Sequence, residues 1–141
     1  MNYHKSGLTK QEILDSLDEF TVQFLETALW SSTYQVQGEW EEVDVPLDND
    51  YEIHNFTKDA LIVLATTCQD FQEDNELLLE KAYEETGNNE SQAGHDFWLT
   101  KEGHGAGFWD GDWGEYGTAL TNASKPYGSD YIYVWQGKLY I

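Results

Sequence analysis

Apolar residues near the start of the chain recur at helical spacing: Ile13, Leu14, Leu17, Phe20, Phe24, Leu25 and Ala28. Thr9, with Glu12 three residues on, has the form of a capping box, so the pattern predicts a helix over residues 9 to 30. Glu12, Asp15, Asp18, Glu19 and Glu26 fall on its outer side. Between residues 31 and 55 no period is sustained. Gly38 and Pro46 interrupt this stretch, which reads as a long acidic connection with a short strand near residues 34 to 36. From Thr57 onward Ala60, Leu61, Val63, Leu64, Cys68 and Phe71 restore the helical period. It stutters at Asp74 and Asn75, resumes through Leu77, Leu78, Leu79, Ala82 and Tyr83, and stops at Gly87, a C-terminal cap. Two helices, or one kinked helix, are predicted there.

Residues 88 to 94 are polar and read as a boundary. Residues 96 to 100 then read as a strand, 101 to 103 as a tight turn and 104 to 109 as the returning strand. On that register Thr100 lies opposite His104 and Trp98 opposite Ala106. His95 and His104 then stand about 16 Å apart, too far to share a metal ion. Asp112 and Glu115 have the spacing to cap a short helix running to about residue 124, ahead of Pro126. Residues 131 to 135, a turn at Gln136 and Gly137, and residues 138 to 141 form a second hairpin. The expected fold is α+β, with N-terminal helices packed on a small antiparallel sheet in the order ααα-ββ-α-ββ. One domain over residues 1 to 141 is expected, with a flexible tail (1 to 7), an acidic helical part (8 to 87) and a ββαββ part (93 to 141).

Composition supports a folded chain: 40 % of residues are hydrophobic, and six are tryptophan. Charge changes the picture more. The 27 Asp and Glu face seven Lys, for a net charge of −20. Residues 1 to 90 carry −17 of it and residues 91 to 141 only −3. A field of that sign repels nucleic acid and membrane surfaces and attracts basic protein surfaces. The lone Cys68 has no disulfide partner and no apolar leader is evident, so a cytoplasmic protein is expected.

Candidate chemistry centres on residues 95 to 113. His95 beside Asp96 suggests an imidazole oriented by a carboxylate, but adjacent residues of a strand point to opposite faces. Ser91, Thr100, Thr118 and Thr121 lack a nucleophile-elbow context, and Cys68 sits on an apolar helix face. "GHGAG" lacks the lysine of a phosphate-binding loop, and Asp110, Asp112 and Glu115 lack the offsets of a calcium loop. No catalytic set, metal site or cofactor is assigned. His95, Trp98, His104, Phe108, Trp109 and Asp110 remain an alternative site for a small molecule or peptide.

The run "HDFWLTKEGHGAGFWDGDWGEYGTALTNASKPYG" resembles a segment of small acidic proteins of no established activity, encoded by bacteriophages and other mobile elements, in which DFWLT is followed by GHGAGFWD. The likeness covers residues 93 to 140. It implies a context, a phage gene product acting in the cytoplasm of a bacterial host, and brings no activity with it.

The acids themselves suggest a function. Glu73, Glu76, Glu80 and Glu84 fall at i, i+3, i+7 and i+11, along one side of a helix over about 16 Å. Glu12, Asp15 and Glu19 repeat the spacing, and the connection adds Glu39, Glu41, Glu42 and Asp44. Rows of carboxylates some 5 to 6 Å apart approximate the phosphates of a nucleic-acid strand. The sequence therefore suggests an acidic, non-enzymatic inhibitor that binds a basic host protein, such as a nuclease, restriction factor or other DNA-binding factor, by DNA mimicry. In the competing reading the acids only solvate the surface and the 95 to 113 segment binds a ligand.

Overall fold

The computed structural model describes residues 1 to 141. The fold is α+β: six helices pack with two small antiparallel hairpins. Thr9 and Glu12 form the expected capping box at the start of α1 (Lys10–Ser16). The predicted single helix is nevertheless two. Leu17 adopts an extended conformation, and Asp18 then caps α2 (Glu19–Ser31) by accepting the Thr21 N–H at 2.8 Å. The apolar period survives the break because Ile13, Phe20, Phe24, Leu25 and Ala28 all reach the core. Acidic residues in the first turn are favourable helix starters, so the composition of residues 15 to 19 suits a restart as well as a continuation.

The acidic connection is more ordered than its composition suggests. β1 (Thr33–Gln37) pairs antiparallel with β2 (Glu42–Pro46), Gln35 lying opposite Asp44. α3 (Lys58–Asp74) starts at Thr57, whose hydroxyl accepts the Ala60 N–H at 3.2 Å. Asn75 closes α3 and opens α4 (Glu76–Thr86), which ends on Gly87 in the left-handed region (φ 78°), as the stutter and the glycine predict.

The C-terminal part differs most from expectation. The segment read as a strand and turn is a helix, α5 (Glu90–Lys101), so residues 93 to 141 are not a ββαββ unit and residues 88 to 94 are no boundary. The 96 to 109 hairpin, and the cross-strand register built on it, do not exist. Periodicity fails here for a physical reason: Ala93, Gly94, Asp96, Phe97, Trp98 and Leu99 are all buried, so α5 has almost no polar face to reveal its period. It packs mainly on α2. A Cβ at Gly94 would lie 2.0 Å from the Phe20 carbonyl oxygen, so only glycine permits this approach.

α6 (Gly117–Ser124) follows a turn of 3-10 helix, Gly114–Tyr116, without a side-chain cap, so Asp112 and Glu115 do not cap it as expected. Instead the Asp112 carbonyl accepts from the Asn88 amide at 2.7 Å. β3 (Tyr133–Trp135) and β4 (Lys138–Tyr140) form the predicted second hairpin around Gln136 and Gly137, both at positive φ. One apolar cluster draws on residues from Tyr3 to Leu139 and is dominated by stacked rings, Phe71 and Phe97 lying 4.0 Å apart. The buried Tyr3 anchors part of the expected N-terminal tail to this cluster. No helix is long and apolar enough to cross a membrane.

Candidate protein-interaction surface

The acids expected to engage a partner, Glu12, Asp15, Glu19, Glu39, Glu41, Glu42, Asp44, Glu73, Glu76, Glu80 and Glu84, are all exposed. They are not equivalent. Glu12 belongs to the capping box and Asp15 accepts from Gln11 at 2.8 Å, so both have work within α1. Glu19 lies beyond the break on α2, so these three do not form the single helical row predicted for them.

Glu73 ends α3, while Glu76, Glu80 and Glu84 lie on α4. Despite the break at Asn75, Glu73, Glu76 and Glu80 converge with Glu90 of α5 around a depression of about 310 Å³, floored by Leu79 and Tyr83. Glu84 lies outside it. Glu90 was missed by the sequence reading because its nearness to α4 depends on how α5 folds back. On the β1–β2 hairpin, Glu42 and Asp44 share the outer face with Thr33, Gln35 and Gln37.

The structure employs other acids internally. Asp18 caps α2, and Asp50, Glu85 and Asp74 accept the hydroxyls of Tyr34, Tyr116 and Tyr127. The carboxylate beside it pushes the Tyr34 hydroxyl up to about 12, and Glu85 does the same to Tyr116. By contrast Glu39, Glu41, Glu42, Asp44, Glu73, Glu76, Glu80 and Glu84 take part in no ion pair within 4.0 Å and accept no side-chain hydrogen bond. The molecule's one buried ammonium, Lys101, is committed elsewhere, to Glu102 at 2.7 Å and Asp130 at 2.8 Å.

The alternative site fares differently. Trp98 and Phe108 are buried in the core, while His104, Trp109 and Asp110 are exposed on the turns that follow α5. His95 braces α5 against α2: its Nδ1 lies 3.0 Å from the Thr27 hydroxyl and its ring stacks on Trp30. Its Nε2 also lies 3.9 Å from Asp96, a pairing the strand reading disfavoured and the helix permits. This Thr27, His95, Asp96 series has the residue types of a hydrolytic triad, yet Thr27 is fully buried and its hydroxyl faces no cleft. Asp96 accepts from the Trp113 indole at 2.6 Å and from Gln92 at 3.0 Å. Burial raises its carboxyl above the usual 3.8, against the opposing pull of those two hydrogen bonds. Burial likewise raises the Cys68 thiol well above its ordinary range, which keeps it protonated and inert. No three His, Cys, Asp or Glu side chains are grouped to hold a metal ion.

Two glycines of "GHGAGFWDGDWGEYG" serve close packing, while Gly103, Gly111 and Gly114 supply positive φ at turns in open space. A Cβ at Gly107 would meet the Thr100 hydroxyl at 2.3 Å, and one at Gly117 the Phe108 carbonyl at 2.7 Å. A second cleft, of about 540 Å³, lies between α2 and the connection before α3, where Trp30 and Tyr51 stand among Glu26, Asp48 and Glu52. Its residues come from separate segments and carried no common signal in the sequence. No family model, no curated protein and no solved structure matches this chain.

Proposed function

We propose that this chain is an acidic, phage-type inhibitor that binds a basic host DNA-handling or defence protein, a nuclease or restriction factor, by imitating the charge of DNA. The observation that carries the reading is that Glu39, Glu41, Glu42, Asp44, Glu73, Glu76, Glu80 and Glu84 are exposed and have no side-chain partner inside the fold. Acids that cap helices or hold tyrosines have a structural reason to exist. These make no such contact, and although Glu76 suits the first turn of α4, Glu76, Glu80 and Glu84 at successive i, i+4 positions cost the helix about a few tenths of a kcal/mol per pair. Such an arrangement suits a surface whose partner is a basic groove, where opposite charge speeds encounter and excludes wrong partners. The resemblance read from the sequence of residues 93 to 140 implies a bacterial cytoplasm as the setting. Direct binding of nucleic acid is disfavoured by the same charge.

The test is capture from bacterial lysate on the immobilised protein, with elution first by a salt gradient and then by duplex DNA. A basic DNA-binding protein released by both is the expected result. The triple variant Glu73→Lys, Glu76→Lys, Glu80→Lys should then weaken its binding by about tenfold or more, with the helical circular dichroism unchanged. A partner indifferent to salt, to DNA and to the triple reversal overturns the reading.

A further inference from the structure

The two hairpins leave a groove between them, and the backbone groups that face it have no partner. The groove is about 680 Å³, lined on one side by residues 33 to 35 and on the other by residues 131 to 134, with Asp44 at its rim. In the first hairpin the Gly38 N–H donates to the Glu41 carbonyl and the Leu47 N–H to the Ser32 carbonyl, both at 2.9 Å. Hydrogen-bonded pairs alternate in an antiparallel ladder, so Tyr34 and Val36 bond to β2 while Thr33 and Gln35 direct their N–H and C=O away from it.

The second hairpin has the same property. Its two-residue turn closes on Trp135 and Lys138, a hydrogen-bonded pair, so Ile132 and Val134 turn their backbone groups outward. The alternation is confirmed on the opposite edge, where the outward Leu139 carbonyl accepts the Thr57 N–H at 3.0 Å. No surrounding loop supplies a backbone partner to Thr33, Gln35, Ile132 or Val134. Two free sheet edges thus border one groove.

The side chains specify what fits. Towards the core the groove presents Tyr34, Ile132 and Val134, all packed on the apolar cluster. Towards solvent it runs between Asp44 on one hairpin and exposed Tyr131 and Tyr133 on the other. The first hairpin carries Glu39, Glu41, Glu42 and Asp44 and no basic residue. A strand laid here alternates its side chains between the two faces. Its inner positions meet apolar surface, and its outer positions meet the Asp44 carboxylate on one flank and the Tyr131 and Tyr133 rings on the other, a setting for arginine or lysine.

We propose that the groove binds an extended segment of a partner protein, alternating apolar and basic residues, by strand addition to both hairpins. The charge complementarity and the alternation select this occupant over a polyanion or an acidic strand. Asp44 belongs to both readings, but the carboxylates of α3 and α4 lie outside the groove, so the Glu73, Glu76, Glu80 reversal tests the proposed function and the peptide series tests this one, and each can fail independently.

The probe is a capped octapeptide alternating valine and arginine, titrated against the full chain and followed by isothermal calorimetry and amide hydrogen exchange. Two controls carry the discrimination: a peptide of the same composition with its valines and arginines in separate blocks, and the alternating peptide N-methylated at two valines. The alternating peptide should bind about tenfold more tightly than either control and slow exchange at Thr33, Gln35, Ile132 and Val134. Asp44→Lys should weaken it, while the Glu73, Glu76, Glu80 reversal leaves the exchange protection in place. Equal binding of the three peptides, or unchanged exchange at those four amides, overturns the proposal. Protection of the same amides in a dimer of the chain without peptide also overturns it, by assigning the groove to a second copy.

Discussion

Asp96 concentrates the physical chemistry of single residues in this protein. Its carboxyl is buried yet holds the indole of Trp113, and burial raises its pKa above 3.8. The folded state therefore binds more protons than the unfolded chain between that ordinary value and the raised one, so the slope of stability against pH is negative across the window. The Asp96 contribution is fully present below the unfolded pKa and is lost as pH rises through the folded one. Asp96→Asn keeps an acceptor for Trp113 and Gln92 and removes the charge. Thermal melts from pH 4 to 7 should show the variant more stable than the parent at pH 7, with the difference vanishing towards pH 4. Asp96→Ala should instead destabilise by about 1–3 kcal/mol by orphaning the buried indole N–H, measured by urea unfolding. Parallel pH profiles of Asp96→Asn and the parent would refute the raised carboxyl.

At the scale of elements, the crossing of α2 and α5 organises the fold. Gly94 sets its distance, since a Cβ would lie 2.0 Å from a backbone oxygen of α2 that cannot move aside alone. Gly94→Ala should gain helix propensity yet lose about 1–3 kcal/mol or more of stability through forced separation of the helices. A melting temperature equal to or above the parent's would refute that packing. The far end of α5 is pinned by Lys101, buried beneath Trp98 at 5.1 Å and paired with Glu102 and Asp130. Lys101→Met retains the stem but leaves two carboxylates facing each other without a cation. A loss of about 3–5 kcal/mol in chemical unfolding is expected, because removing one member strands the charges of the others. Asp130 precedes the strand β3, so the same variant should increase amide exchange in the second hairpin.

For the molecule as a whole, a charge of −20 makes self-repulsion a global term, and the melting temperature should rise between 20 mM and 500 mM salt. The Glu73, Glu76, Glu80 reversal should reduce that salt response while preserving the fold; an undiminished response would show that these acids lie outside the repulsive field. Much of this was legible in the chain. The acidic surface, the cap at Thr9, the helix start at Thr57, the stop at Gly87, the break near Asn75 and the hairpin about Gln136 and Gly137 all follow from local rules, because each depends on residues within a few positions of one another. The α+β class was legible for the same reason. Burial on nearly every side was not: α5 lost its amphipathic signature when its polar positions were enclosed, and "DFWLT" then resembled a strand. Nor does any local pattern report that Glu90 joins Glu73, Glu76 and Glu80, or that two hairpin edges nearly a hundred residues apart border one groove. The sequence by itself determined the charge, the cap at Thr9, the stop at Gly87 and the turn at Gln136 and Gly137, which are short-range properties. Only the tertiary structure decided which carboxylates remain without partners and which backbone edges stay open, because both depend on what the rest of the chain packs against.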